Sequence, residues 1–270
     1  MIYILIPVII AAVLLFYNYM YGKGIKAYIL TRIIKYHQKV HKSKIIIIVD
    51  EDMKIPCNHI ISIDNCQRFI QKLRSCHKHQ KKLEIIIHSS GGTIESSDII
   101  VNAILEHHLP IQCYVPRFAN SAATFIALST DKIHMDNYAH LSPTDPQITI
   151  EMGDGDKEDE RTYSSKVLMD YLKYVDNHES YEIKEGLFLD AKEAEQLHQD
   201  NIQSLDKILE KKGKRTRNND TIFNRFCSGD FPHHTPLYYT ELRKMGMHVE
   251  LNIPSHINQI FRCFEKYFII

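Results

Sequence analysis

Apolar and polar positions alternate along this chain in two rhythms. Lys44–Asp50 (KIIIIVD) is an unbroken β-branched run, the pattern of a strand buried on both faces. ISIDNCQRFIQKLRSCHKHQ follows with helical spacing, and KLEIIIHSSGG is a second buried strand that runs into a Gly-Gly turn. IESSDIIVNAILEHH reads as a helix and LPIQCYVP as a third strand. NSAATFIALSTD is small and apolar at helical length, and KIHMDNYAHLS reads as a short strand and turn. Strands of this kind alternating with helices predict an α/β fold, a parallel sheet with crossover helices.

The rhythm then changes. Glu151–Thr162 (EMGDGDKEDERT) is acidic and glycine-punctuated, and predicts a mobile loop. From Tyr163 the chain is helical: YSSKVLMDYLKYVDNH, then DAKEAEQLHQDNIQSLDKILEKK. Pro232–Pro236 (PHHTP) interrupts this part, and LYYTELRKMGMHVE predicts one more helix with Gly246 as its cap. The last segment, INQIFRCFEKYFII, suits a short helix that packs on the domain or touches lipid.

The N-terminus stands apart. Met1–Phe16 carries no charge, and the first charge is Lys23. About 20 uncharged apolar residues span a bilayer core as a helix. Tyr17, Tyr19 and Tyr21 suit an interfacial belt, and seven basic residues from Lys23 to Lys44 mark the following side as cytoplasmic. There is no charged n-region and no clear cleavage site, so an uncleaved anchor is expected. The expected organisation is a transmembrane anchor at 1–21, a basic juxtamembrane segment at 22–43, a catalytic-size domain at 44–255 and a helix or tail at 256–270.

Composition adds exclusions. Net formal charge is zero, so no global field recruits nucleic acid, and Lys211–Arg217 (KKGKRTR) reads as a solvated loop. The six cysteines are scattered without a CxxC pair, which suits reduced thiols. CHKH at Cys76–His79 reads as polar helix surface, and no metal motif occurs. No GxxxxGK[ST] loop is present, so the chain hydrolyses no ATP by that route.

Two strand ends carry candidate chemistry, because sites form there in parallel sheets. Gly91-Gly92 follows one buried strand and opens a helix; its N–H groups can face a developing oxyanion. Ser121 follows the next strand and opens the next helix. It is either a nucleophile or, like Asn120, a helix cap.

The ordered set HSSGGTIESSDIIVNAI, FANSAATFIALSTDKIHM and AHLSPTDPQI resembles the serine dehydrogenase proteinase family, a membrane-linked relative of the Clp-protease and signal peptide peptidase A group with the crotonase-like fold. The similarity covers roughly Lys44–Val249. It implies a serine peptidase without a cofactor, acting on a protein or peptide substrate, membrane-attached and homo-oligomeric. By the same resemblance Ser121 is the nucleophile, with Asp145 of TDPQ and His233 of PHHTP completing a triad in that chain order. Backbone N–H groups of Gly92 or Gly91 and of Ala122 form the oxyanion hole. His234 adjoins His233, and related peptidases use a lysine, for which Lys166 is suitably placed; His140 is a further histidine near the serine. Asp145 also fits a simple Asp-Pro turn. Many relatives carry glycine two residues after the serine, where this chain has Ala123. Two other functions compete: a scaffold that kept the fold but lost its base, and a crotonase-type acyl-CoA enzyme.

Overall fold

The computed structural model describes residues 26–49, 61–77, 82–152, 159–177, 185–213 and 219–266, together with Ile10 and Val13. The expected anchor thus lies almost wholly outside the described residues, as do 153–158 of the acidic stretch, His79 of CHKH and most of KKGKRTR. Among the described residues no helix is long and apolar enough to cross a membrane.

Helix α1 covers residues 26–40, and strand β1 (Ser43–Val49) follows at once. Then come α2 (Ile63–His77), β2 (Lys82–His88), α3 (Ile94–Leu105), β3 (Ile111–Val115), β4 (Phe118–Ala119), α4 (Ala122–Ser129) and β5 (Lys132–Met135). The remainder is β6 (His140–Leu141), β7 (Gln147–Met152), β8 (Asp159–Ser164), α5 (Ser165–Asp176), α6 (Glu185–Lys211), α7 (Asn219–Cys227), β9 (Leu237–Tyr238), α8 (Tyr239–Lys244), β10 (Val249–Glu250) and α9 (Ser255–Phe264).

The main sheet has five strands in the order β1-β2-β3-β5-β10, all parallel. Each β-branched run has both faces covered, which is why it shows no polar alternation. Ile46, Ile48, Ile85, Ile87, Cys113 and Val115 face a core shared with α2, α3, α4 and the C-terminal half of α6. Ile45, Val49, Ile86 and Tyr114 face the opposite side, under Leu30 of α1 and Ile257, Ile260, Phe261 and Phe264 of α9. Within the closing segment, α9 therefore packs on the sheet.

Two expectations need correction. The flanks of the acidic stretch are not loop: β7 and β8 pair antiparallel from Gln147↔Ser164 to Met152↔Asp159. Ile148, Ile150 and Tyr163 pack this hairpin against Leu168, Leu172, Ala191 and Ala194 of α5 and α6. The alternation is short and the acidic, glycine-rich run hides it. LYYTELRKMGMHVE is not one helix but β9, α8 and β10. Gly246, at φ +86, ends α8 two residues after Lys244, and its conformation is one few side chains adopt.

Candidate active site

The first part of the site lies where two turns run side by side. After β2 the chain goes through Ser89-Ser90-Gly91-Gly92 to Thr93, whose hydroxyl accepts from Ser96 N and starts α3. Ser89 N donates to Phe118 O at 3.2 Å, and Asn120 N donates to Ser89 O at 2.9 Å. These bonds stitch the glycine turn to the one ahead of α4. The approach is close: a Cβ on Gly91, whose φ is +124, would lie 2.9 Å from Ser121 Cβ. A Cβ on Gly92 would strike the Ile61 carbonyl.

Ser121 has φ 52 and ψ −123, and Lys42 is the one other non-glycine residue with positive φ among those described. Such a torsion costs on the order of 1–3 kcal/mol and persists only where neighbours over-determine it. They do so here. Ser121 N donates to Ser142 Oγ at 2.9 Å, and Thr124 Oγ1 donates to Ala119 O at 2.7 Å while accepting from Ser142 N at 3.2 Å. All eight residues of α4 are buried behind the turn. The Ser121 side chain makes no capping hydrogen bond. Nor does Asn120 cap through its side chain, whose Oδ1 is buried without a partner among the described residues. The hydroxyl is thus not consumed in starting the helix.

The second part comes from outside the main sheet. β6 pairs parallel with β4 and antiparallel with β9, with Leu141 opposite Leu237 and His140 opposite Tyr238. Past Leu141 the chain runs on without strand pairing to Asp145, and ahead of β9 Pro232–Thr235 forms a turn, with Thr235 N donating to Pro232 O at 2.8 Å, that carries His233. The side chains of Asp145 and His233 meet: Asp145 Oδ1 accepts from His233 Nδ1 at 2.9 Å. The Asp145 carboxylate is wholly buried, and His233 is 14% exposed. A carboxylate only accepts, so Nδ1 carries the proton and the neutral ring keeps its lone pair on Nε2. Gln147 Nε2 donates to the other oxygen, Asp145 Oδ2, at 2.6 Å. Thr144 anchors the segment through N and Oγ1, both donating to Phe226 O, at 2.7 and 3.1 Å.

Both parts open on one cavity of about 520 Å³. Its walls include Gly92, Ser121 and Ala122 on one side, Asp145, His233 and His234 on another, and Leu197 of α6 with Phe125 of α4. Gly91 is not on the wall, and its N–H already donates to Ser89 Oγ at 3.2 Å. Gly92 therefore suits an oxyanion donor better. Ala122 heads α4, where an N–H has no carbonyl one turn back to bond.

The other predicted residues sit elsewhere. Lys166, on α5, is not on the cavity wall; it bridges to Asp170 at 2.9 Å and Asp230 at 3.5 Å. The Asp170 hydrogen bond holds its pKa above the ordinary lysine value, which stabilises the charged form. His140 lies in β6 stacked on Phe118 at 5.8 Å, and burial lowers its pKa. His234 is on the wall, edge-on to His233 at 5.3 Å. Burial pushes the Cys227 thiol, next to Thr144, up to about 12, so it is no competing nucleophile. Sequence reasoning overlooked Ser142 and Gln147. Both stand in AHLSPTDPQI, one of the stretches that carry the family resemblance, which was their one signal.

The chain as a whole is similar to known proteins. Two uncharacterized proteins of Methanocaldococcus jannaschii are 25% and 26% identical over 222 and 213 residues, each covering 78% of this chain. The chain spans 68% and 66% of their lengths. ClpP1 of Listeria monocytogenes is similar in fold, at 14% identity and a TM-score of 0.50, over 82% of this chain and 99% of that one. The profile of the ClpP-like SDH-type serine proteinases matches residues 1–268. The chain therefore belongs to the ClpP-like SDH-type serine proteinase family.

Proposed function

We propose that this protein is a serine peptidase that cleaves proteins or peptides through an acyl-enzyme on Ser121. The observation that carries the reading is the hydrogen-bonded Asp145–His233 pair on the same cavity as the uncapped, strained Ser121. His233 Nε2 takes the hydroxyl proton as Ser121 Oγ attacks the peptide carbonyl carbon. Asp145 holds the imidazole in the required tautomer and offsets the charge of the imidazolium. The carbonyl oxygen becomes an oxyanion that accepts from the N–H groups of Gly92 and Ala122. The imidazolium then protonates the leaving amine, and the C–N bond breaks. Water, deprotonated by His233, attacks the ester and releases the second product. Lys166 takes no part in this scheme, because its ion pairs keep it charged. Ala123 lies inside α4 with 0% exposure, so its methyl does not project into the cavity.

The reading extends to placement. The uncharged run at 1–21 and the basic residues after it support a membrane anchor with the peptidase domain on the cytoplasmic side. A homo-oligomer is part of the same reading.

The test is labelling of the full chain, solubilised in detergent, with a fluorophosphonate probe. Wild type is expected to label, and Ser121→Ala and His233→Ala are not. A folded wild type that stays unlabelled, or labelling that survives Ser121→Ala, overturns the proposal.

A further inference from the structure

Gln147 stands at an unusual point. It is the first residue of β7, it is exposed, and it lines the cavity. Yet its side-chain amide bonds a carboxylate that solvent does not reach. Nε2 lies 2.6 Å from Asp145 Oδ2, and 3.4 Å from the carbonyls of Asp145 and Pro146. Asp145 Oδ1 is taken by His233 Nδ1 at 2.9 Å. The two oxygens thus have one named donor each, on opposite sides of the group. With Pro146 between them, Asp145 and Gln147 sit two apart on an extended segment, so their side chains share a face.

We infer that Gln147 is a positioning residue for the reaction, locking the Asp145 carboxylate in the rotamer that presents Oδ1 to His233. This rests on the peptidase reading above. Without the amide, Oδ2 borders the cavity and its water, and the carboxylate is free to turn about its Cβ–Cγ bond. His233 then loses its fixed tautomer for part of the time, and the fraction of sites ready to deprotonate Ser121 falls. The other titratable groups around the pair are His234 beside His233, His198 and Glu193 on α6, Cys227 at the end of α7 and Glu95 on α3. All of them remain in the variants below.

The experiment compares full-length wild type, Gln147→Ala and Gln147→Glu. It measures hydrolysis of a fluorogenic peptide, fluorophosphonate labelling rates from pH 5 to 9, and thermal unfolding. Gln147→Ala is expected to lower kcat about 10- to 100-fold with KM within about two-fold. Its Tm should stay within about 2 °C because the residue is exposed. Gln147→Glu keeps the shape but replaces the donor by a second carboxylate, and should be at least as slow as Gln147→Ala at neutral pH. Unchanged labelling in Gln147→Ala beside a labelled wild type overturns this inference and leaves the peptidase reading standing. So does a rise in KM alone, which would make Gln147 a substrate contact. A wild type that never labels removes the peptidase reading and this inference together.

Discussion

The serine side of the cavity stands on the five-stranded parallel sheet and on a helix with every residue buried, whereas the histidine side stands on a ladder of two-residue strands. Ser121, Ala122 and Gly92 come from turns about thirty residues apart, stitched by backbone hydrogen bonds. Asp145 and His233 are 88 residues apart, and the pairing of β6 with β9 brings their two segments side by side. On the serine side, strain is stored and held by Ser142 and Thr124. On the histidine side, a single side-chain contact joins the segment after β6 to the turn before β9. The first side is stiff, clamped by Ser142 from just past β6; the second joins segments 88 residues apart.

Substitutions can test that difference. The largest effect is expected from Asp145→Asn, which keeps the shape but permits the wrong imidazole tautomer. Labelling and hydrolysis should fall about 10³- to 10⁴-fold with the fold retained. Gly92→Ala strikes the stiff side: its methyl meets the Ile61 carbonyl and displaces the N–H that the proposed mechanism uses as an oxyanion donor. A rate loss of about 10²- to 10³-fold is expected, and a rate near wild type would show that the turn yields. Leu237→Ala strikes the remote side. Leu237 has 0% exposure in β9, so truncation should cost about 2–5 kcal/mol by denaturant unfolding. Hydrogen exchange should rise around β6 and β9 before it rises around α4; the reverse order breaks the comparison.

Acid offers a milder probe of the same contrast. Burial lowers the pKa of His140 in β6 and of His198 in α6, so each stays neutral in the fold at a pH where the unfolded chain binds a proton. Their contribution to stability is complete above the unfolded value of about 6.5 and is lost as pH falls below it. The Tm should therefore drop between pH 7.5 and 5, and less steeply in His140→Gln. The smallest effect belongs to Lys166→Met, which should change labelling less than about two-fold. A larger loss would assign the lysine a part in proton transfer.

Much of the serine side can be read in the chain itself. Ser43–Val49 and Lys82–His88 announce themselves by runs of isoleucine, Ile111–Val115 by a short apolar segment with one polar residue, Gln112, and the turns follow at their ends. The Gly91-Gly92 pair is visible as a turn, but the close approaches that require it, to Ser121 and to Ile61, come from about thirty residues away. The histidine side is different in kind. Two-residue strands such as His140–Leu141 have no periodicity to detect, and nothing near Asp145 points to a partner 88 residues away. Resemblance to a family supplied that pair; composition and spacing did not. The β7–β8 hairpin escaped because its alternation is brief and an acidic run follows it.

The torsion at Ser121 also bears on how such a site survives over generations. Glycine would meet φ 52 without steric penalty, so Ser121→Gly should release part of the stored strain while abolishing any acyl transfer. A lineage in which this cavity had become idle would find greater stability one substitution away. On the peptidase reading, the strain at Ser121 is what it takes to hold a hydroxyl where glycine would sit relaxed.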